Sequence, residues 1–228
     1  MLALFAVLSP ASQQTSGARE CQGSAATTTA APSYVHDAAR AAVFQAELKS
    51  IAAQASVNAN VDLILIGDSL IEGWDVKRLL PAVAVNFGVG GDQTQMVLWR
   101  LQDPGLDRLK PRNAVILLGT NNIAAGHSAC AIVAGLEQVV IRTQKIWPQA
   151  KIWLIEIPPR GDKYASRNDL RLEVNRQLRS FPDVKTIDVD DEISCEGQTP
   201  CANYLDDKLH FSPAGYEVLT RAVRAAVR

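Results

Sequence analysis

The chain has 228 residues, with a 47% hydrophobic and 21% charged content typical of an ordinary globular protein. Its 23 Lys+Arg against 24 Asp+Glu leave a formal charge of −1 without any basic run, which argues against nucleic acid as a partner. No apolar stretch approaches the ~20 residues of a membrane-spanning helix, so no stable membrane span is expected.

The apolar run Met1 to Leu8, followed by Ser9, Pro10 and Ala11, resembles the core of a secretory signal before a small-residue cleavage site, although the first cation is only Arg19. It predicts a secreted or periplasmic protein. From Ser12 to about Ser33 the chain is rich in Ser, Ala, Thr, Gly and Gln. Such a stretch buries too little apolar surface to offset its ordering entropy and reads as a flexible linker. Residues 1–35 are therefore taken as signal-like segment and linker, and residues 36–228 as one domain.

The domain opens with an Ala-rich helical stretch, about His36–Ala55. Apolar and amphipathic runs then alternate. The predicted strands are Val61–Ile66, Ala82–Phe87, Asn113–Leu118, Lys151–Ile157 and Val184–Val189, each short and mostly apolar, as in a parallel sheet buried on both faces. The predicted helices between and after them are Leu70–Leu80, Asp92–Leu101, Ser128–Ile146, Ser166–Leu178 and Pro213–Val227; the last is marked by Ser212 as N-cap and Pro213 at the first helical position. Strands alternating with helices predict an α/β fold, a three-layer α/β/α sandwich with a flavodoxin-like five-stranded parallel sheet in the order 2-1-3-4-5.

Four cysteines occur, Cys21, Cys130, Cys195 and Cys201, with neither CxxC nor zinc-ligand spacing, so no metal site is expected. Cys195 and Cys201 flank a short polar loop, and a small-loop disulfide between them is plausible in an oxidising compartment, with two unrelated thiols as the alternative. Cys130 falls in an apolar helical pattern and reads as simply buried; Cys21 lies in the linker and is uninformative.

Open α/β sheets bind ligands beyond the C-terminal ends of their strands. Strand 1 runs into Gly67-Asp68-Ser69-Leu70, strand 2 into Asn86 to Asp92 with Gly88, Gly90 and Gly91, and strand 3 into Gly119-Thr120-Asn121-Asn122. In the order 2-1-3 these loops converge, bringing a hydroxyl, a glycine-rich backbone turn and a carboxamide to one rim. That is the inventory of acyl transfer: one nucleophile and several neutral donors for an oxyanion. A serine hydroxyl needs a base. Of the three histidines, His36 sits at the linker boundary and His127 at a helix start, where a surface or near-cap role is more usual. His210 follows Asp207 by three residues, a spacing that lets the carboxylate hold Nδ1–H and leaves Nε2 free for the serine proton. Each signal alone is common in turns and surface loops. Their joint occurrence, in order and at strand ends, carries the weight.

These stretches resemble the SGNH (GDSL) hydrolase family, and within it the type Ib platelet-activating-factor acetylhydrolase catalytic-subunit branch. The matching segments are Ile66 to Leu70, Asn86 to Asp92 continuing into Val97 to Leu101, Leu118 to Asn122, Pro158 to Gly161, and Asp207 to His210 leading to Gly215 and Tyr216. The resemblance implies a flavodoxin-like fold and cofactor-free hydrolysis of short, acetyl-like acyl esters, with a small acetylated sugar or lipid-like molecule as substrate and a homodimer as a possible assembly. It implies Ser69 as nucleophile and first oxyanion donor, Gly91 and Asn121 as the other donors, and Asp207 with His210 completing the triad. Asn122 stands where many members carry Asp, a feature shared with the acetylhydrolase branch. The N-terminal signal, the linker and the Cys195–Cys201 loop are not expected of that intracellular branch.

Other readings stay open. Thioesterase, arylesterase or lysophospholipase-like activity would use the same triad. A non-catalytic carbohydrate- or lipid-binding module could share the fold. A dinucleotide site after Gly88-Val89-Gly90 is weakened by Gln93 at the third glycine position and by no clearly placed acidic ribose ligand; Asp107 is near but outside a strand end. Trp74 and Trp99 read as packing residues, Arg160 at least as readily as part of a solvated turn as facing the pocket, and Asp68 as an organiser of the loop around Ser69.

Overall fold

The computed structural model describes residues 28–33, 61–76, 84–194 and 201–227. The predicted signal, the His36–Ala55 helix, Cys21 and Cys195 lie outside the described residues.

The strands are β1 (Leu63–Gly67), β2 (Ala84–Gly88), β3 (Asn113–Leu117), β4 (Lys151–Ile155) and β5 (Val184–Ile187), all parallel, in the order β2-β1-β3-β4-β5. Each falls on the apolar run predicted for it, with ends shifted by one or two residues. Period-2 alternation divides their side chains between two cores. Ile64 and Ile66 of β1, Ala114 and Ile116 of β3, and Ile152 and Leu154 of β4 face one side. Leu63 and Leu65, Val115 and Leu117, and Trp153 and Ile155 face the other. Both sets are buried, so these three central strands are apolar on both faces.

The helices are α1 (Ser69–Glu72), α2 (Thr94–Arg100), α3 (Thr120–Ala124), α4 (Ala129–Ile146), α5 (Asn168–Leu178), α6 (Asp190–Ile193) and α7 (Pro213–Ala226). α2, α4 and α5 cover the first core through Val97, Leu136, Val139, Val174 and Leu178. α1, α6 and α7 cover the second through Leu70, Ile193, Val218, Leu219 and Val223. Ser212 caps α7 as predicted, its side chain accepting from Gly215 N–H behind Pro213. The helix predicted over Leu70–Leu80 instead breaks at Gly73, whose N–H turns back to Ser69 O and Ile71 O. Short α3 and α6, each opening a few residues after its strand, were not predicted, because four- or five-residue helices show no hydrophobic period.

The linker reading needs correction at its C-terminal end. Residues 28–30 form a turn of helix and Thr29 is fully buried. Its hydroxyl donates to Ala131 O (2.7 Å), its carbonyl accepts from the Thr94 hydroxyl (3.0 Å), and Ser33 N–H donates to Gln95 O (3.0 Å). Small polar residues can leave water when their polar atoms find partners, a possibility composition does not register. Cys130 also departs from expectation. It is half-exposed in the first turn of α4. Among the described residues, no helix is long and apolar enough to cross a membrane.

Candidate active site

Three strand ends build the rim. β1 ends at Gly67, Asp68 makes the turn, and Ser69 opens α1, so the Ser69 side chain stands at a sharp strand-to-helix elbow. Asp68 is fully buried and acts as N-cap, its Oδ1 accepting from Leu70 N–H at 3.0 Å. That is the loop-organising role read for it in the sequence. As the first residue of α1, Ser69 has an N–H with no partner within the helix. Gly91, in the turn after β2, has φ +82°, and Gly119, after β3, has φ +122°. Side chains rarely adopt such values, so glycine lets both turns form without strain. Gly119 swings the chain directly into α3, which carries Asn121.

The base arrives from the hairpin before α7. Tyr204 and Phe211 form an isolated antiparallel bridge, and Leu205 N–H donates to His210 O at 2.8 Å. The intervening hairpin turns at Lys208, which has φ +60°. The Asp207 carboxylate accepts from the N–H groups of Leu209 and His210, both at 2.9 Å, through Oδ1, while its Oδ2 lies 2.6 Å from His210 Nδ1. His210 Nε2 is 2.9 Å from Ser69 Oγ. Partial burial works against ionisation of Asp207. The hydrogen bonds from the His210 ring and from the two backbone N–H groups outweigh it and hold the carboxyl at about 2. Asp207, His210 and Ser69, scattered in sequence, thus form one hydrogen-bonded line. Asn121 Nδ2 donates one hydrogen to Asp92 O at 3.0 Å. The primary amide has a second hydrogen, which this bond holds in a fixed direction.

The family pattern of GDSL-like lipases and acylhydrolases matches residues 65–218, which include every one of these groups. The chain belongs to the GDSL-like lipase/acylhydrolase family. It is therefore an ester-hydrolysing enzyme of the SGNH type, as its resemblance implied. It is 32% identical over 173 residues to platelet-activating factor acetylhydrolase IB subunit alpha1 of Rattus norvegicus, covering 72% of this chain and 74% of that one. Among solved structures it is similar in fold to a GDSL-like lipase from Bacteroides thetaiotaomicron (TM-score 0.63, 16% identity, 79% of this chain and 96% of that one). An acetyl xylan esterase from Geobacillus stearothermophilus shares the fold as well (TM-score 0.56, 19% identity, 73% and 94%).

Two features of this GDSL site escaped the sequence reading. The first is a buried ion pair. Arg100 Nε donates to Asp92 Oδ2 at 2.6 Å, Nη1 to Phe87 O at 2.9 Å and Nη2 to Gly67 O at 3.0 Å. One guanidinium thereby ties the ends of β1 and β2 to the loop whose Asp92 carbonyl holds Asn121. Its signal was a lone cation within Val97-Leu98-Trp99-Arg100-Leu101. The second is Arg160, read as at least equally compatible with a solvated turn. Its side chain is only 6% exposed and donates to Thr120 and Asp162.

Asn122 is fully buried and joins α3 to α2. Its Oδ1 accepts from Thr94 N–H (3.1 Å), and its Nδ2 lies 3.2 Å from Thr94 Oγ1 and 3.3 Å from His127 Nδ1. A carboxylate could only accept there, so the amide suits this set of partners. Burial lowers the His127 pKa, which favours the neutral ring that can accept from Asn122. His127 is thus a strut below Asn121 and stands apart from the Ser69 line. His36 lies outside the described residues. Trp74 is buried, its indole N–H donating to Thr220 Oγ1 at 3.3 Å, in keeping with a packing role. Among the described residues no cluster of His, Cys, Asp and Glu could hold a metal ion.

Proposed function

We propose that the chain is a serine esterase that removes short acyl groups, acetyl foremost, through a covalent acyl-enzyme. The observation that carries this reading is the continuous line from Asp207 through His210 to Ser69, with contacts of 2.6 and 2.9 Å. His210 Nε2 takes the Ser69 proton as Oγ bonds to the ester carbonyl carbon. The N–H groups of Ser69 and Gly91 and the Asn121 amide receive the oxyanion. The tetrahedral adduct collapses, the C–O bond to the alcohol breaks, and protonated His210 returns its proton to the departing alkoxide. Water then attacks the acyl-serine by the same route, releasing the acid and restoring Ser69. Asp207, kept ionised well below neutrality, orients the ring and balances its transient positive charge.

The acetyl preference draws support from the names of two similar proteins, an acetylhydrolase subunit and an acetyl xylan esterase. The apolar start of the chain supports export to an oxidising compartment, in which a Cys195–Cys201 disulfide would persist.

The test combines covalent labelling with an ester series. A fluorophosphonate should add its mass to Ser69, and Ser69→Ala should lose about 10⁴-fold or more in kcat with its fold intact. p-Nitrophenyl acetate should exceed longer-chain esters in kcat/KM. Absence of labelling would favour a non-catalytic binding module, and preference for long chains would overturn the acetyl reading alone.

A further inference from the structure

The turn after β4, Pro158 to Gly161, touches both halves of the site. On one side Arg160 Nη1 donates to Thr120 Oγ1 (2.9 Å) and Thr120 O (3.2 Å), and Thr120 is the buried residue that precedes Asn121 in α3. On the other side Gly161 N–H donates to Lys208 O (2.8 Å), within the hairpin that bears Asp207 and His210. Tyr204, at the foot of that hairpin, donates its hydroxyl to Pro159 O at 2.8 Å. Asp162 holds the remaining edge of the guanidinium at 2.7 and 2.5 Å, and the Tyr164 ring packs 4.9 Å from its carbon. Four of the guanidinium's five N–H donors are thus spent on the protein.

We propose that Arg160 is a positioning residue, which fixes Asn121 relative to the Asp207–His210 hairpin by clamping Thr120 to a turn that is itself bonded to that hairpin. The inference rests on the reading of Asn121 as an oxyanion donor. An oxyanion donor is effective only when held where the charge develops, and a misplacement of about 1 Å can cost ~10²-fold. Without Arg160, Thr120 keeps its helix but loses two bonds to the turn. Lys cannot restore them, because one ammonium cannot span Thr120 and both oxygens of Asp162 in the planar fork.

A double-mutant cycle tests this. Arg160→Met should lower kcat about 10- to 100-fold with KM within about 2-fold. In an Asn121→Ala background the same change should cost less than about 2-fold, since the group it positions is gone. Arg160→Lys should recover only part of the loss. Where Arg160→Met does not fold, Thr120→Val removes one acceptor at nearly constant shape and should show the same dependence on Asn121, at about 3- to 10-fold. Equal losses in both backgrounds, or a folded Arg160→Met with unchanged kcat, would overturn the role of Arg160 alone. A near-normal kcat in Asn121→Ala by itself would instead remove Asn121 from the site, and this role with it.

Discussion

The two sides of the site are held by opposite means. On the oxyanion side, Arg100 and Asp92 have side chains 0% and 3% exposed, and they knit together two strand ends and the loop holding Asn121. On the acid–base side, the side chains of His210 and Asp207 are 35% and 49% exposed, and backbone bonds of a short hairpin hold them. The division follows from what each side does. Oxyanion donors must be aimed before the charge appears, and a dry, fully bonded network gives that rigidity. The base must pass a proton from Ser69 to the departing alcohol and then from the incoming water back to Ser69, so its imidazole must stay open to both, which a sealed ring could not do readily. Rigidity therefore comes from buried charge on one side and from local chain geometry on the other.

Breaking the buried pair should have the larger effect on stability. Arg100→Met leaves the Asp92 carboxylate in the interior without this guanidinium and takes one donor from each of two strand-end carbonyls, Phe87 O and Gly67 O. Removing one partner of a buried pair costs about 3–5 kcal/mol, so the melting temperature should fall by roughly 10 °C. The kcat of the fraction still folded should drop as well. A melting temperature within about 2 °C of the parent would show that the network contributes little, and the contrast between the two sides would lose its basis.

The same contrast explains what could be read in advance. The sheet order and the placing of Ser69 and Asn121 at one rim were legible because apolar runs mark the strands and both residues follow strand ends. The Asp207–His210 pair was legible because both partners lie within one turn. Arg100 and Arg160 were not, since each acts through backbone carbonyls or residues far away in sequence, and a cation carries no mark of being buried. Thr29 was lost for the related reason that composition cannot foresee a partner more than a hundred residues on, Ala131. The GDSL resemblance implied a nucleophile and donors but not the struts beneath them.

A middle-sized effect should come from Asp68, where the buried network meets the nucleophile elbow. The carboxyl is fully buried, its Oδ2 has no hydrogen-bond partner, and burial, helped by the nearby Asp92 charge, raises its pKa from 3.8 to about 7. The folded protein then holds a proton that the unfolded chain releases, so stability should fall as pH rises from about 4 to about 7 and level off above. The full span would be on the order of 4 kcal/mol. Asp207 runs in the opposite sense, its contribution being present above its unfolded pKa and lost as pH falls toward about 2. Asn caps helices as well as Asp does, so Asp68→Asn should fold and should flatten the decline in melting temperature between pH 5 and 8. Identical slopes in parent and variant would mean that Asp68 ionises normally in the folded state.

The smallest effect is expected on the exposed side, at Lys208. This residue holds φ +60°, a left-handed conformation that costs a side-chain-bearing residue about 1 kcal/mol or more. Glycine relieves that cost, but it also widens the unfolded ensemble by about 0.4–1 kcal/mol. The two nearly cancel. Lys208→Gly also keeps the carbonyl that accepts from Gly161 N–H. Its melting temperature should therefore stay within about 4 °C of the parent, and kcat within about 3-fold. If the hairpin instead depended on the lysine side chain, the variant would lose ten-fold or more in kcat at unchanged stability. Backbone geometry would then be insufficient to aim His210, and the acid–base side would need a side-chain strut of its own, as the oxyanion side does.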